Sequence, residues 1–160
     1  PVRMLTITPR QTVAEQDDFF GPELFDRDPD ACCSLRKVEP LRRALQPYQA
    51  WMSGIRREET ESRRTARVVA WDANRSIVKI NPLASWTTAQ VDAYIAEHDI
   101  VVNPLIEAGY PSIGCAPCTR KAAAGEDPRS GRWAGSGKSE CGLHLDATGK
   151  LVRAPPSTSG

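Results

Sequence analysis

The sequence predicts an α/β fold. Three observations carry this: short β-branched or alternating runs, helix-start signatures between them, and turn residues separating the two. Residues 2–8 are apolar and β-branched and read as a strand. Thr12-Val13-Ala14-Glu15 is a capping box opening a short helix towards Phe19 and Phe20. Residues 25–31 are acidic and turn-like and deliver Cys32-Cys33. Pro40 suits the first turn of a helix running through Leu41 and Leu45. Residues 50–55 read as a buried strand ending at Gly54-Ile55-Arg56-Arg57, and residues 67–71 and 76–80 as strands around a turn at 72–74. Thr87 to Gln90 caps a helix in which Val91, Tyr94 and Ile95 recur at helical spacing. Residues 101–105 form a connector to a short helix ending at Ala108. Residues 125–142 hold five glycines and few apolar anchors, which predicts a flexible loop; residues 154–160 are Pro/Ser-rich and predict a disordered tail.

A chain of 160 residues suits one domain with a modest core, and 40% hydrophobic residues fit a globular class. No apolar run approaches the length of a membrane span. The first residues lack the basic and apolar regions of a signal peptide, and without an initiator Met the chain is expected to begin inside a longer protein. These features favour the cytoplasm, where disulfides are rare, so five cysteines point to metal or redox chemistry. Net charge is +1, but residues 36–67 hold nine Arg/Lys against four Glu, a local balance of +5. That bias fits either an anionic partner or a solvated helix face.

Four cysteines form two pairs, Cys32-Cys33 and Cys115-Ala116-Pro117-Cys118. The CxxC spacer lets both thiols face one centre, with Pro117 stiffening the turn. Adjacent cysteines point apart in a strand, so both reach one centre only from a helix or turn, which suits a bulky cluster. A single zinc usually takes ligands two to four residues apart. Four thiolates is the count a four-iron cluster needs. A redox dithiol and four buried thiols acting as small hydrophobes remain alternatives. Cys141 is left over, between Lys138 and His144, which can raise its thiolate fraction. It reads as a nucleophile on a moving segment or as an incidental surface thiol. His98 ends a helix and suits a dipole role. Arg36-Lys37 follows the first pair, and Arg129-Ser130-Gly131-Arg132-Trp133 follows the second; arginine forks suit phosphate or sulfate oxygens.

Taken in order, the motifs Cys-Cys-Ser-Leu-Arg-Lys-Val-Glu-Pro-Leu (32–41), Gly-Ile-Arg-Arg (54–57), Asn-Pro-Leu (81–83), Gly-Cys-Ala-Pro-Cys-Thr (114–119), Arg-Ser-Gly-Arg-Trp (129–133) and Glu-Cys-Gly-Leu-His (140–144) closely resemble the assimilatory adenylylsulfate (APS) reductases of the APS/PAPS reductase family. The resemblance runs from about residue 1 to His144. It implies an adenine nucleotide α-hydrolase-like (Rossmann-like) sheet with helices, its N-terminal part missing, plus a mobile C-terminal catalytic tail. The implied division is 1–124 for the domain with its iron–sulfur site, 125–146 for the substrate loop and cysteine tail, and 147–160 for a disordered tail.

The resemblance further implies a [4Fe-4S] cluster on Cys32, Cys33, Cys115 and Cys118, with Cys141 as nucleophile. Lys37, Arg129 and Arg132 would contact the substrate's phosphate–sulfate, joined by Arg64 of the Arg63-Arg64 pair and by His144. Cys141 would attack the sulfate sulfur of APS, expelling AMP and leaving an S-sulfocysteine, which thioredoxin resolves to sulfite. The implied partners are APS and thioredoxin, with no nucleic acid and no membrane; a homo-oligomer is compatible. Two features depart from the family pattern. Residues 58–61 differ from the family's usual continuation after Gly-x-Arg-Arg, and the Ser-Gly-Gly-type phosphate loop is absent, leaving the adenosine site incomplete. The rival readings are a reductase for the 3′-phosphorylated substrate PAPS, and a zinc module binding nucleic acid through its arginines.

Overall fold

A computed structural model describes residues 2–136, 138 and 140–143, in two compact units. One unit joins the N-terminal residues up to 44 to residues 102–143; the other spans residues 45–101.

In the first unit, residues 2–9 form no strand among the described residues. Val2 and Met4 stand exposed, and the segment is held instead by Arg43, whose Nη2 donates to the Thr8 carbonyl at 2.6 Å. The β pattern predicted there is present, but a strand needs an edge to pair with. Helix α1 (Val13–Phe20) starts at the predicted capping box: Thr12 Oγ1 accepts from Glu15 N at 3.2 Å, and Glu15 Oε2 accepts from Thr12 N at 2.8 Å. Gly21, at φ 78°, ends it by donating to Asp17. Arg27, at the end of α2 (Leu24–Arg27), donates to the Phe20 and Pro22 carbonyls and fixes the turn between α1 and α2.

Helix α3 (Pro29–Cys33) is capped by Asp28, whose Oδ1 accepts from Ala31 N, with Pro29 in its first turn. The helix does not stop at the cysteines. Ser34–Val38 continues it as a π-turn, with Glu39 N–H bonded to the Ser34 carbonyl, and α4 (Glu39–Leu45) follows directly. Pro40 therefore lies in the first turn of α4, as the sequence predicts, with the π-turn running directly into it. Its ring crowds the carbonyl four residues back and has no N–H to offer it; the wider π-turn just upstream supplies the room.

The second unit holds a three-stranded sheet in the order β1 (Ala50–Met52), β3 (Ile77–Ile80), β2 (Val69–Asp72). β1 runs parallel to β3, and β2 pairs with β3 as an antiparallel hairpin. The hairpin is as predicted, with its turn at 73–76. The strand predicted over 50–55 is shorter and more exposed than expected: Met52, Val69 and Trp71 stand exposed on one sheet face. The other face carries the Asp72–Arg75 pair at 2.9 Å, which receives Trp51 Nε1 at 3.2 Å. Asn81, 2% exposed, ties the hairpin to the preceding loop by accepting from Ser53 Oγ and donating to the Arg67 carbonyl. Helix α5 (Thr88–Glu97) opens at the predicted Thr87/Gln90 box and ends at His98, whose ring lies 4.2 Å from that of Tyr94. The short helix predicted before Ala108 is a series of turns. No described helix is long and apolar enough to cross a membrane.

Candidate active site

The two cysteine pairs meet in the first unit. Cys32 and Cys33 close α3, so the helix, not a strand, lets adjacent thiols face the same side. Cys33 is buried and Cys32 half-buried. Cys115 is extended, and Ala116–Cys118 makes one 3₁₀ turn in which Cys118 N donates to the Cys115 carbonyl at 2.9 Å. Thr119 locks this turn: its hydroxyl donates to the Cys115 carbonyl at 2.8 Å and accepts from Gly114 N at 3.2 Å. A cavity of about 340 Å³ is lined by all four cysteines, with Arg36, Lys37, Leu24 and Phe25 in its wall.

Burial, then the neighbouring Cys118, pushes the Cys32 thiol above its ordinary value, while Arg36 and Lys37 act the other way. Burial likewise raises Cys33, opposed by Lys138 and Lys37, and raises Cys118, helped by Cys115 and opposed by Lys37, Arg132 and Lys138. The cavity is thus apolar enough to disfavour thiolates and surrounded by enough cations to accept them when a ligand compensates. Among the described residues, no three His, Cys, Asp or Glu side chains converge on a point that one metal ion would fill.

The CxxC turn is backed by the segment carrying Arg129 and Arg132. Thr119 and Arg132 form an antiparallel bridge, Arg120 N donates to the Gly131 carbonyl at 2.9 Å, and Trp133 N donates to the Cys118 carbonyl at 3.0 Å. Sequence reading finds few anchors here; the structure supplies two. Trp133, 5% exposed, is a core residue held at φ 47°, with Arg132, Lys138 and Lys37 at 4.4, 5.7 and 6.0 Å from its ring. Glu126 accepts from Arg120, Ala123 N and Ser130, which holds its carboxyl down to about 2. Arg132 donates to the Ile113 carbonyl at 3.0 Å, on the approach to Cys115.

Cys141, half-buried, lies close enough to Cys33 to act on its titration. Two ion pairs hold its approach: Lys138 to Asp30 on α3, and Glu140 to Arg129 at 3.8 Å. The structure therefore gathers Cys32, Cys33, Cys115, Cys118, Cys141, Lys37, Arg129 and Arg132 in one unit. Arg64 lies in the other unit, exposed and paired with Glu61 at 2.6 Å. His144 and the predicted tail at 147–160 lie outside the described residues. Sequence reasoning misses Asp30 and Glu140 as site residues; nothing local marks a carboxylate whose partner is 108 or 11 residues away.

The model for the phosphoadenosine phosphosulfate reductase domain matches residues 2–121. The adenosine 5'-phosphosulfate reductase of Streptomyces coelicolor is 57% identical over 143 residues, which are 89% of this chain and 61% of that protein. The enzyme of the same name from Mycobacterium tuberculosis is 56% identical over 143 residues, 89% of this chain and 56% of that protein. The chain thus spans 56–61% of the length of these curated relatives. A solved structure, the phosphoadenylyl-sulfate (PAPS) reductase of Candida auris in a phosphate complex, is similar with a TM-score of 0.58 and 32% identity, covering 69% of this chain and 54% of that one. That neighbour and the mixed helices and sheet fit the nucleotide α-hydrolase-like class expected from sequence. Because the domain model reaches across residues 2–121 of 160, the chain belongs to the phosphoadenosine phosphosulfate reductase domain family.

Proposed function

We propose that this chain carries the thiol chemistry of an adenylylsulfate reductase in assimilatory sulfate reduction. The observation that carries the reading is a fifth thiol, Cys141, held by ion pairs beside a cavity that four other thiols line. The names of the relatives point the same way.

A [4Fe-4S] cluster fits the donor set. Four thiols line one cavity, with Arg36 and Lys37 in its wall to offset the charge of an anionic occupant. Cys32, Cys33, Cys115 and Cys118 would hold the cluster. When bound, it supplies fixed charge beside the reacting groups and ties α3 to the CxxC turn. Cys32, Cys33 and Cys118, whose protons burial holds, would have to give them up to ligate iron.

The remaining work belongs to side chains. The Cys141 thiolate attacks the sulfate sulfur of APS; an S–S bond forms, the S–O bond to AMP breaks, and AMP leaves with the electron pair. Arg129, Arg132 and Lys37 stabilise the phosphate–sulfate oxygens and the departing phosphate, with His144 as a further contact. A thioredoxin thiolate then attacks the Cys141 sulfur, sulfite departs, and the second thioredoxin thiol closes its own disulfide. The dithiol supplies the two electrons. Such a reaction belongs in the cytoplasm, where reduced thioredoxin is maintained.

One observation favours a second reading: the similar solved structure is a PAPS reductase. Sulfite release from APS and from PAPS, each with reduced thioredoxin, separates the two. The same preparation should contain iron and acid-labile sulfide in near-equal amounts. Serine at Cys32, Cys33, Cys115 or Cys118 should abolish both, and serine at Cys141 neither. Stoichiometric zinc without sulfide, or sulfite from PAPS alone, contradicts the reading.

A further inference from the structure

Glu140 is the most deeply buried acidic side chain described, 1% exposed, and it sits immediately before the nucleophilic cysteine. A carboxylate goes there at a cost unless a cation meets it. One cation it meets is Arg129, itself only 18% exposed, at 3.8 Å. Two residues upstream, Lys138 pairs with Asp30 on the cysteine helix and its side chain is 6% exposed. The segment is therefore pinned twice: once to the helix that carries Cys33, and once to a guanidinium of the kind that binds oxyanions.

We propose that Glu140 is a positioning residue acting as an internal oxyanion: it occupies Arg129 while the site is empty, and a sulfate or phosphate group of the substrate displaces it. This rests on the assignment of Arg129 to the substrate under the reductase reading. Carboxylate and sulfate offer a guanidinium the same pair of oxygens, so they compete for it. Displacing Glu140 moves Cys141 with it, since adjacent Cα atoms are about 3.8 Å apart across one peptide bond. Lys138 stays on Asp30 as the pivot. The nucleophile is thereby withheld until an oxyanion arrives, and by linkage whatever docks Glu140 weakens oxyanion binding by the same factor.

The test uses inorganic sulfate on the full chain, at constant ionic strength, and reads the rate of Cys141 alkylation by iodoacetamide through peptide mass. In the wild type the rate should rise about tenfold at saturating sulfate, equivalent to about 1.4 kcal/mol. Glu140→Gln should react fast without sulfate, gain nothing from it, and bind sulfate about tenfold more tightly; Glu140→Asp should restore part of the sulfate response. A wild-type rate indifferent to sulfate overturns the proposal, and that arm needs no variant. So does a Glu140→Gln protein that reacts fast but binds sulfate no more tightly, because Glu140 is then only a structural contact. Failure of the reductase reading would appear differently, as intact sulfate responses with no sulfite from APS.

Discussion

A methyl group placed on Gly131 would sit 2.2 Å from the carbonyl oxygen of Arg120. The obstacle is backbone, not a flexible side-chain end, so Gly131→Ala must push two chain segments apart by about 1 Å to reach ordinary contact distance. Those segments are joined by the Arg120 N to Gly131 O bond at 2.9 Å, with the Trp133 N to Cys118 O bond at 3.0 Å just beyond. Losing one or two such bonds costs about 0.5–1.5 kcal/mol each, and overpacking adds about 1–3 kcal/mol. The total comes to about 1.5–6 kcal/mol. At about 2–4 °C per kcal/mol for a chain of this size, Tm should fall by about 3–24 °C. Gly125→Ala is the matched control: it has open space around its Cβ but φ 82°, so only left-handed strain of about 1–2 kcal/mol applies. The assay is thermal and urea unfolding of both variants beside the wild type, with iron content measured on each. Since Gly131 backs Cys118, its variant should lose iron and the control should keep it. A Gly131→Ala protein within about 0.5 kcal/mol of wild type would refute the claim that this ribbon is closely packed.

Raised thiols give the metal-free protein a pH signature. Unfolded thiols ionise near 9.0 while folded Cys32, Cys33 and Cys118 still hold their protons, so stability is full below 9.0 and falls as pH rises through the raised values. Urea midpoints from about pH 8 to 11 should show this decline, and a variant with serine at all three should show less; equal slopes refute it. Glu126 should titrate near 2 by carboxylate NMR, its small contribution present above 4.5 and lost as pH falls through about 2; a midpoint near 4.5 means its contacts with Arg120 and Ser130 are absent in solution. In the full-length enzyme, Arg129→Ala or Arg132→Ala should weaken APS binding by about 1.5–3 kcal/mol, read by calorimetry, and Lys37→Ala should weaken it too; unchanged affinity in all three makes these residues a solvated face.

Local signals are the legible ones. The boxes at Thr12 and Thr87 are each written within four residues, and both helices start where those residues place them. The 69–80 hairpin follows from alternation and a tight turn. The meeting of Cys32-Cys33 with Cys115 and Cys118 is what the family resemblance implies, since spacing alone leaves a redox dithiol or four buried thiols open. Residues 2–8 carry a genuine strand pattern, yet β structure depends on a partner that composition does not announce. The π-turn at Ser34–Val38 results from Pro40 two residues later, a steric consequence that helix periodicity does not encode. Trp133 is a core residue, 5% exposed, inside a Gly-rich stretch that does not announce it. The pairs of Lys138 with Asp30 and Glu140 with Arg129 are tertiary, so the docked approach to Cys141 has no sequence signature.

Cys141 carries the central claim, and one measurement addresses it directly. The full-length enzyme is mixed with APS in the absence of thioredoxin, digested, and the mass of the peptide containing Cys141 is recorded. The account predicts a sulfonate adduct on Cys141 that reduced thioredoxin removes as sulfite, and none in Cys141→Ser, which should still bind APS with its iron intact. An adduct on Cys115 or Cys118, or sulfite produced by Cys141→Ser, would contradict it.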